Sequence, residues 1–157
     1  MNILIRGATA ADAAEIADVH LISRRARMPY LPDLHSAADV RTYFATSVLP
    51  SSTVLVATSG ERIIGFAAVS GDSLDHLYVR PEHLRTGVGS RLLEQVKLVS
   101  PKGLRLYVFQ RNHQARAFYR RHGFVVSSFA SGQDNEEKEP DLVMSWTPDG
   151  ELRRSAT

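Results

Sequence analysis

The sequence predicts one α/β domain, and three observations carry that expectation. Its 157 residues suit a single domain with a core of its own. Alternating apolar segments broken by turn residues fill the middle of the chain, as an antiparallel meander would. Beyond them the period changes from two to helical and back to two, from Leu74 to Gln95 and then from Leu104 to Phe109. That is a β-α-β unit, whose crossover makes the two strands parallel. The expected fold is a mixed, mostly antiparallel sheet of about seven strands flanked by about four helices. The domain is expected over residues 1–147, with a polar tail, TPDGELRRSAT, fraying over 148–157.

The elements follow in order. Asn2 to Arg6 alternates as a short half-buried strand. Thr9, with Asp12 three residues on, resembles a capping box opening a helix whose inward face is Ile16, Val19, Ile22 or Ser23, and Ala26; Pro29 ends it. Met28 to His35 holds two prolines and two rings and reads as a loop. Ser36 caps a second helix, with Val40, Tyr43 or Phe44, and Val48 inward, ending before Pro50. Thr53 to Thr58, a Ser59-Gly60 turn, Arg62 to Ser70 and a Gly71-Asp72 turn lead into the strand of Leu74, Leu77 and Val79, which Pro81 ends. After the helix of Leu92, Leu93 and Val96, Pro101 to Gly103 breaks the pattern before Leu104 to Phe109. Asn112 caps a helix to about His122, Gly123 stops it, and Phe124 to Ala130 pairs with Leu142 to Trp146 across a polar loop.

Composition removes several classes of function. There is no cysteine, so disulfides, thiolate metal sites and cysteine nucleophiles are excluded together; a reducing, cytoplasmic setting is expected, and no metal is called for. No window approaches the ~20 apolar residues of a membrane span, and the amino terminus lacks a basic flank and long apolar run. The net charge of +2, from 19 basic and 17 acidic residues, is a small excess without a basic, aromatic-interleaved stripe, so nucleic acid is not an expected partner.

Chemistry concentrates at two places. Gly87 and Gly89 leave the backbone bare where a helix begins, so the amides of about Arg85 to Ser90 can face a bound anion such as a pyrophosphate; the same glycines also suit an ordinary turn. Further on stand Asn112, Phe118 and Tyr119, in the pattern N-x-x-A-x-x-F-Y followed by Gly123-Phe124. Phe118 and Tyr119 leave the helix in different directions, one toward the core and one toward a cleft.

Together the two motifs resemble the GNAT superfamily of acyl-CoA N-acyltransferases, over nearly the whole chain in element order. Leu84-Arg85-Thr86-Gly87-Val88-Gly89 matches that family's R/Q-x-x-G-x-G/A coenzyme loop, with Leu84 where the family has Arg or Gln; Arg85 beside it supplies charge. The segment from Asn135 to Trp146 is similar to the closing hairpin of small bacterial members. The resemblance implies a splayed parallel strand pair with the pantetheine arm of acetyl-CoA between its strands. It also implies that the Leu77 amide bonds the thioester carbonyl, Val79 holds the pantetheine amides, Leu84 to Ser90 cradle the pyrophosphate, and Asn112 contacts the coenzyme besides capping its helix. In the family the tyrosine matching Tyr119 protonates the departing thiolate. The implied reaction is direct acetyl transfer to an amine in a ternary complex; the alternative is a non-catalytic acyl-CoA-binding regulatory module on the same fold.

The base and the acceptor are less determined. An amine of pKa near 10 must lose a proton, and the family's frequent glutamate falls at Ser73 here, which cannot serve. Asp75, two residues on along the same strand face, is the first choice, through a water, and His76 on the opposite face the second. His20, with no carboxylate spaced to pair with it, reads as a packed helix histidine. The loop Ser131 to Asp141 carries Asp134, Glu136, Glu137, Glu139 and Asp141 against Lys138, which favours a cationic amine if the loop is more than solvated. The amine belongs to a small molecule or a peptide, and monomer and homodimer both stay open.

Overall fold

The computed structural model describes residues 2–149. The tail expected over 148–157 therefore lies, from Gly150 on, outside the described residues. The chain divides into two compact units, Met1–Val96 and Lys97–Thr157. The class expected is the class found: among the described residues there are seven strands and four helices longer than one turn.

The first unit begins with β1 (Ile3–Gly7) and α1 (Ala13–Arg27), then α2 (Ala37–Tyr43), β2 (Thr53–Ser59), β3 (Arg62–Ser70), β4 (Ser73–Val79) and α3 (Val88–Leu98), whose last two residues fall in the second unit. Its strands lie in the order β1-β2-β3-β4, each antiparallel to its neighbour. The Thr9–Asp12 pairing expected of a helix start is present: the Thr9 amide donates to the Asp12 carboxylate at 2.8 Å. It opens a single 3-10 turn, Ala10–Asp12, which α1 continues. Ser36 caps α2, accepting from the Asp39 amide at 3.0 Å.

Alternation puts Val54 and Val56 of β2 with Phe66 and Ala68 of β3, against Ile16, Ala17 and Val19 of α1. Two choices left open along the helices are resolved here. On α1 the inward residue is Ser23, while Ile22 is exposed; after α2 it is Phe44, while Tyr43 is exposed. Pro50 does not stop the second helix as expected. α2 runs on through a π turn, Phe44–Val48, and a last turn, Leu49–Ser51; the Leu49 amide donates to the Phe44 carbonyl five residues back, so the proline follows a point where the regular i→i−4 ladder is already broken. On the other face of β3, Gly65 leaves room for α3: a Cβ there would come within 3.0 Å of the Tyr78 carbonyl and 3.3 Å of Leu92 Cδ1.

The second unit holds β5 (Leu104–Phe109), α4 (His113–Arg121), β6 (Val125–Ala130) and β7 (Asp141–Trp146), with antiparallel order β5-β7-β6. The expected β6–β7 hairpin forms. Leu104, Leu106 and Val108 on β5 are buried, as are Leu142, Met144 and Trp146 on β7. Lys97 is buried too; its ammonium donates to the His122 carbonyl at 2.6 Å and lies 4.8 Å from the Trp146 ring centroid. No helix among the described residues is long and apolar enough to cross a membrane.

Candidate active site

The first unit presents β4 and the turn after it. The Arg80 amide donates to the Ile64 carbonyl at 2.8 Å, which makes Gly65 and Val79 a non-hydrogen-bonded pair of the antiparallel ladder. Alternation gives Leu77, opposite Ala67, the same status. The N–H and C=O of both Leu77 and Val79 are therefore turned away from β3. The Ser23 hydroxyl of α1 donates to the Val79 carbonyl at 2.9 Å, using one of its two lone pairs.

β4 ends at Val79, and Arg80 is the N-cap of one 3-10 turn, Pro81–His83. The His83 amide closes it on the Arg80 carbonyl at 2.9 Å, and the Thr86 hydroxyl donates to the His83 carbonyl. Arg85 and Gly87 then adopt left-handed backbones, with φ of 63° and 87°. A Cβ on Gly87 would meet nothing within 4 Å, so conformation and not room calls for glycine there. Gly89, by contrast, lies inside the first turn of α3. The Gly87 carbonyl accepts the Arg91 amide at 3.0 Å and so opens the helix, while the amides of Val88 and Gly89 have no acceptor within it. Val88 is buried and anchors the turn; Leu84 and Ser90 are half-buried, and Arg85, Thr86 and Gly87 are exposed. Burial, followed by the charge of Arg85, lowers the pKa of Arg27 at the end of α1. Neither arginine has an ion-pair partner among the described residues. Two cations without counter-charge beside a turn of open amides make a place for an anion.

Higher on β4 the candidate bases part company. Leu74 pairs with Val69 and His76 with Ala68, so Asp75 is the extra residue of a bulge. Asp75 is exposed, and its two oxygens accept the hydroxyls of Ser70 at 2.5 Å and Ser73 at 2.6 Å. His76 points instead into a ring cluster with His20, Tyr43, Phe44, Phe66 and Tyr78. Its Nε2 is 3.4 Å from the Tyr43 hydroxyl, and the Nδ1 atoms of His20 and His76 are buried without a partner. Burial pushes the His76 pKa down to about 4, against a smaller pull upward from Asp75. Burial, then the charges of His76 and Arg24, push His20 to about 3. Burial, then Asp75, raises the Tyr43 phenol.

In the second unit, Asn112 caps α4, its Oδ1 accepting the Ala115 amide at 3.3 Å. Of the two adjacent rings, Tyr119 is buried and Phe118 half-buried; Tyr119 packs edge-on to Phe124 at 5.4 Å between centroids. One charge of the acidic loop is paired by an arginine of the turn before α4. Glu139 accepts Arg111 through both oxygens, at 2.6 and 2.9 Å, which lowers its pKa, and Asp141 accepts from Asn135 at 3.3 Å.

A family model described as the acetyltransferase (GNAT) domain matches residues 50–126, from β2 into β6. Peptidyl-lysine N-acetyltransferase YjaB of Escherichia coli strain K12 is 31% identical over 101 residues, which are 64% of this chain and 68% of that protein. The chain belongs to the GNAT acetyltransferase family. YjaB of Salmonella typhimurium is 32% identical over 87 residues, 55% of this chain and 59% of that protein. The solution structure of apo YjaB from Escherichia coli superposes with a TM-score of 0.77 at 26% identity, covering 93% of this chain and 98% of that one. The PaiA N-acetyltransferase of Thermoplasma acidophilum, solved with coenzyme A, shares the fold at 20% identity, with a TM-score of 0.73 over 94% of this chain and 99% of that one.

Several residues at this site carry no signal in the sequence. Arg27 and Arg80 have no part in the sequence reading, Ser23 and Tyr43 stand in it only as alternatives to Ile22 and Phe44 for an inward helix face, and only the register and the helix ends bring the four to β4 and its turn. Tyr43 offered one hint, since it competed with Phe44 for the inward place on α2.

Proposed function

We propose that this chain is an acetyl-CoA-dependent N-acetyltransferase acting on the lysine side chains of peptides or proteins. The observation that supports it most is the register at the end of β4, with Leu77 and Val79 turned off the β3 ladder directly before a turn of open amides flanked by Arg27 and Arg85. In this reading the turn from Leu84 to Ser90 holds the pyrophosphate through its amides and Arg85, with Arg27 adding charge. The Val79 N–H holds the pantetheine arm, and Asn112 makes a second contact with the coenzyme. Bound acetyl-CoA supplies the activated thioester.

The chain's own groups then do three things. The Leu77 N–H donates to the carbonyl oxygen as it gains charge. Tyr119 gives its phenolic proton to the departing sulfur, hydrogen bonding in the transition state because an unperturbed phenol near pKa 10 is a weaker acid than a thiol near 8.5. A lysine ammonium near pKa 10.4 must lose its proton before attack, and Asp75, exposed and held by two serines, takes it through a water. His76 stays the second candidate; a buried imidazole with a pKa near 4 holds a proton poorly at neutral pH. Asp134 and Glu137, on the loop before β7, favour a cationic acceptor, and the names of the relatives, peptidyl-lysine N-acetyltransferases, support the lysine class. Nothing in the comparisons favours the rival non-catalytic module. The test is a panel of lysine-containing peptides with acetyl-CoA, followed by free thiol and by acetyl-lysine in the product; no thiol release, with no rise in Tm on adding acetyl-CoA, sinks the proposal.

A further inference from the structure

β3 carries a second irregularity, on the side facing β2. Ala57 pairs with Gly65 and Thr58 with Ile63, so Ile64 is left over. A bulge takes backbone groups out of the ladder, and they need other partners. Here charged side chains supply them. The Ile63 N–H donates to Glu15 Oε2 of α1 at 3.0 Å, and the Ile63 carbonyl accepts Arg80 Nε at 2.7 Å. The two charges lie 3.7 Å apart. Arg80 is 6% exposed, which is rare for an arginine, and an apolar residue would fill such a place at no desolvation cost.

What an apolar side chain could not do is tie the Ile63 carbonyl and Glu15 to the residue whose backbone leads from β4 into the turn. Arg80 is the last residue before Pro81. Its amide binds the Ile64 carbonyl, its carbonyl starts the 3-10 turn through His83, and its guanidinium spans the bulge and Glu15. Ser23, two helical turns along α1 from Glu15, pins the neighbouring Val79 carbonyl. The exit of β4 is thus fixed to α1 at consecutive residues, just ahead of the turn from Leu84 to Ser90.

We propose that Glu15 and Arg80 are positioning residues for the pyrophosphate of the coenzyme: the ion pair plugging the β3 bulge sets the angle at which the chain leaves β4, and with it the aim of the amides from Arg85 to Gly89. The inference rests on the acetyl-CoA reading above. A plug that served stability alone would affect every donor equally, whereas a plug that aims the turn matters only to donors carrying the pyrophosphate.

The experiment uses Glu15→Gln, which can still accept the Ile63 amide but removes the charge facing Arg80, and Arg80→Met. The Kd for CoA is measured by calorimetry, and kcat/KM with acetyl-CoA and with S-acetylpantetheine, which has no pyrophosphate, for the same amine. Misplacing contact atoms by about 1 Å can cost up to about 10²-fold, so both variants should weaken CoA binding between about threefold and 10²-fold and leave kcat/KM with S-acetylpantetheine within about twofold of wild type. The double variant should lose no more CoA affinity than Arg80→Met alone, since both act through one plug. Unchanged CoA affinity in Glu15→Gln, or equal losses with both donors, overturns the proposal. If Arg80→Met does not fold, Glu15→Gln decides it. A wild-type protein that binds no CoA would be the failure of the acetyltransferase reading instead.

Discussion

The two histidines facing each other between α1 and β4 set a pH dependence of stability that can be calculated. His20 and His76 ring centroids are 5.6 Å apart in T-shaped contact, and both rings are held neutral by burial, with pKa values near 3 and 4 against an ordinary 6.5. The groups facing them are Arg24 on α1, which opposes protonation of His20, and Asp75 on β4, which favours that of His76. The unfolded chain binds protons at both histidines below pH 6.5 and the folded chain does not, so their effect is nil well above 6.5 and stability falls as the pH drops toward 4. At pH 5 the deficit is about 1.5 pKa units per histidine, or about 2 kcal/mol each and about 4 kcal/mol for the pair. That is a large share of the 5–15 kcal/mol typical of a domain. Asp12 does not confuse the measurement. The Arg6 hydrogen bond lowers its pKa from 3.8 to about 2, so its contribution is lost only below 3.8. Urea unfolding at pH 7.5 and pH 5 should show the loss for the wild type and about half of it for His20→Phe, whose ring keeps the contacts with Phe44 and Tyr78. A variant that loses as much as the wild type would refute the assignment of the effect to this pair.

Other outcomes test the coenzyme turn and the chemistry. Gly89→Val should weaken coenzyme binding more than it lowers stability, because it puts bulk among the first amides of α3, whereas Gly87→Ala should cost about 1–2 kcal/mol of stability through its left-handed backbone; calorimetry with CoA and urea titration separate the two. Arg27→Ala and Arg85→Ala should each raise the Kd for CoA and reduce its salt dependence, and a Kd unchanged in both would remove them from the anion site. Tyr119→Phe should lower kcat by at least about 10²-fold with coenzyme affinity nearly intact, and an activated aryl thioester should recover part of the loss; equal, small losses with both donors would return the leaving-group role to water. Asp75→Asn should lower turnover most at low pH, and an unaltered pH profile would clear it as the base.

What the sequence made legible was punctuation and period. Pro81 marks the end of β4, Gly87 the left-handed turn before α3, and Asn112 the cap of α4, because each of these residue types has a backbone reason to stand where it does. Period two places Val54, Val56, Phe66 and Ala68 on one face. What stayed hidden was every feature made by an exception to period or by distant partners. The bulges at Ile64 and Asp75 each add a residue that alternation cannot foresee. The π turn over Phe44–Val48 carries the second helix past a proline that reads as a stop. Glu15 meets Arg80, and His20 meets His76, across chain separations where only the register of β3 and β4 brings them together.

The central proposal, that backbone amides of Leu77, Val79 and the turn after β4 hold the acetyl-CoA, is tested most directly by titrating ¹⁵N-labelled protein with acetyl-CoA and following its amide resonances. The amides of Leu77, Val79 and Arg85 to Gly89 should shift together, saturating with one affinity, while those of β1 and of the Ser36 cap stay in place. Saturable binding that leaves Leu77, Val79 and the turn unmoved would contradict it.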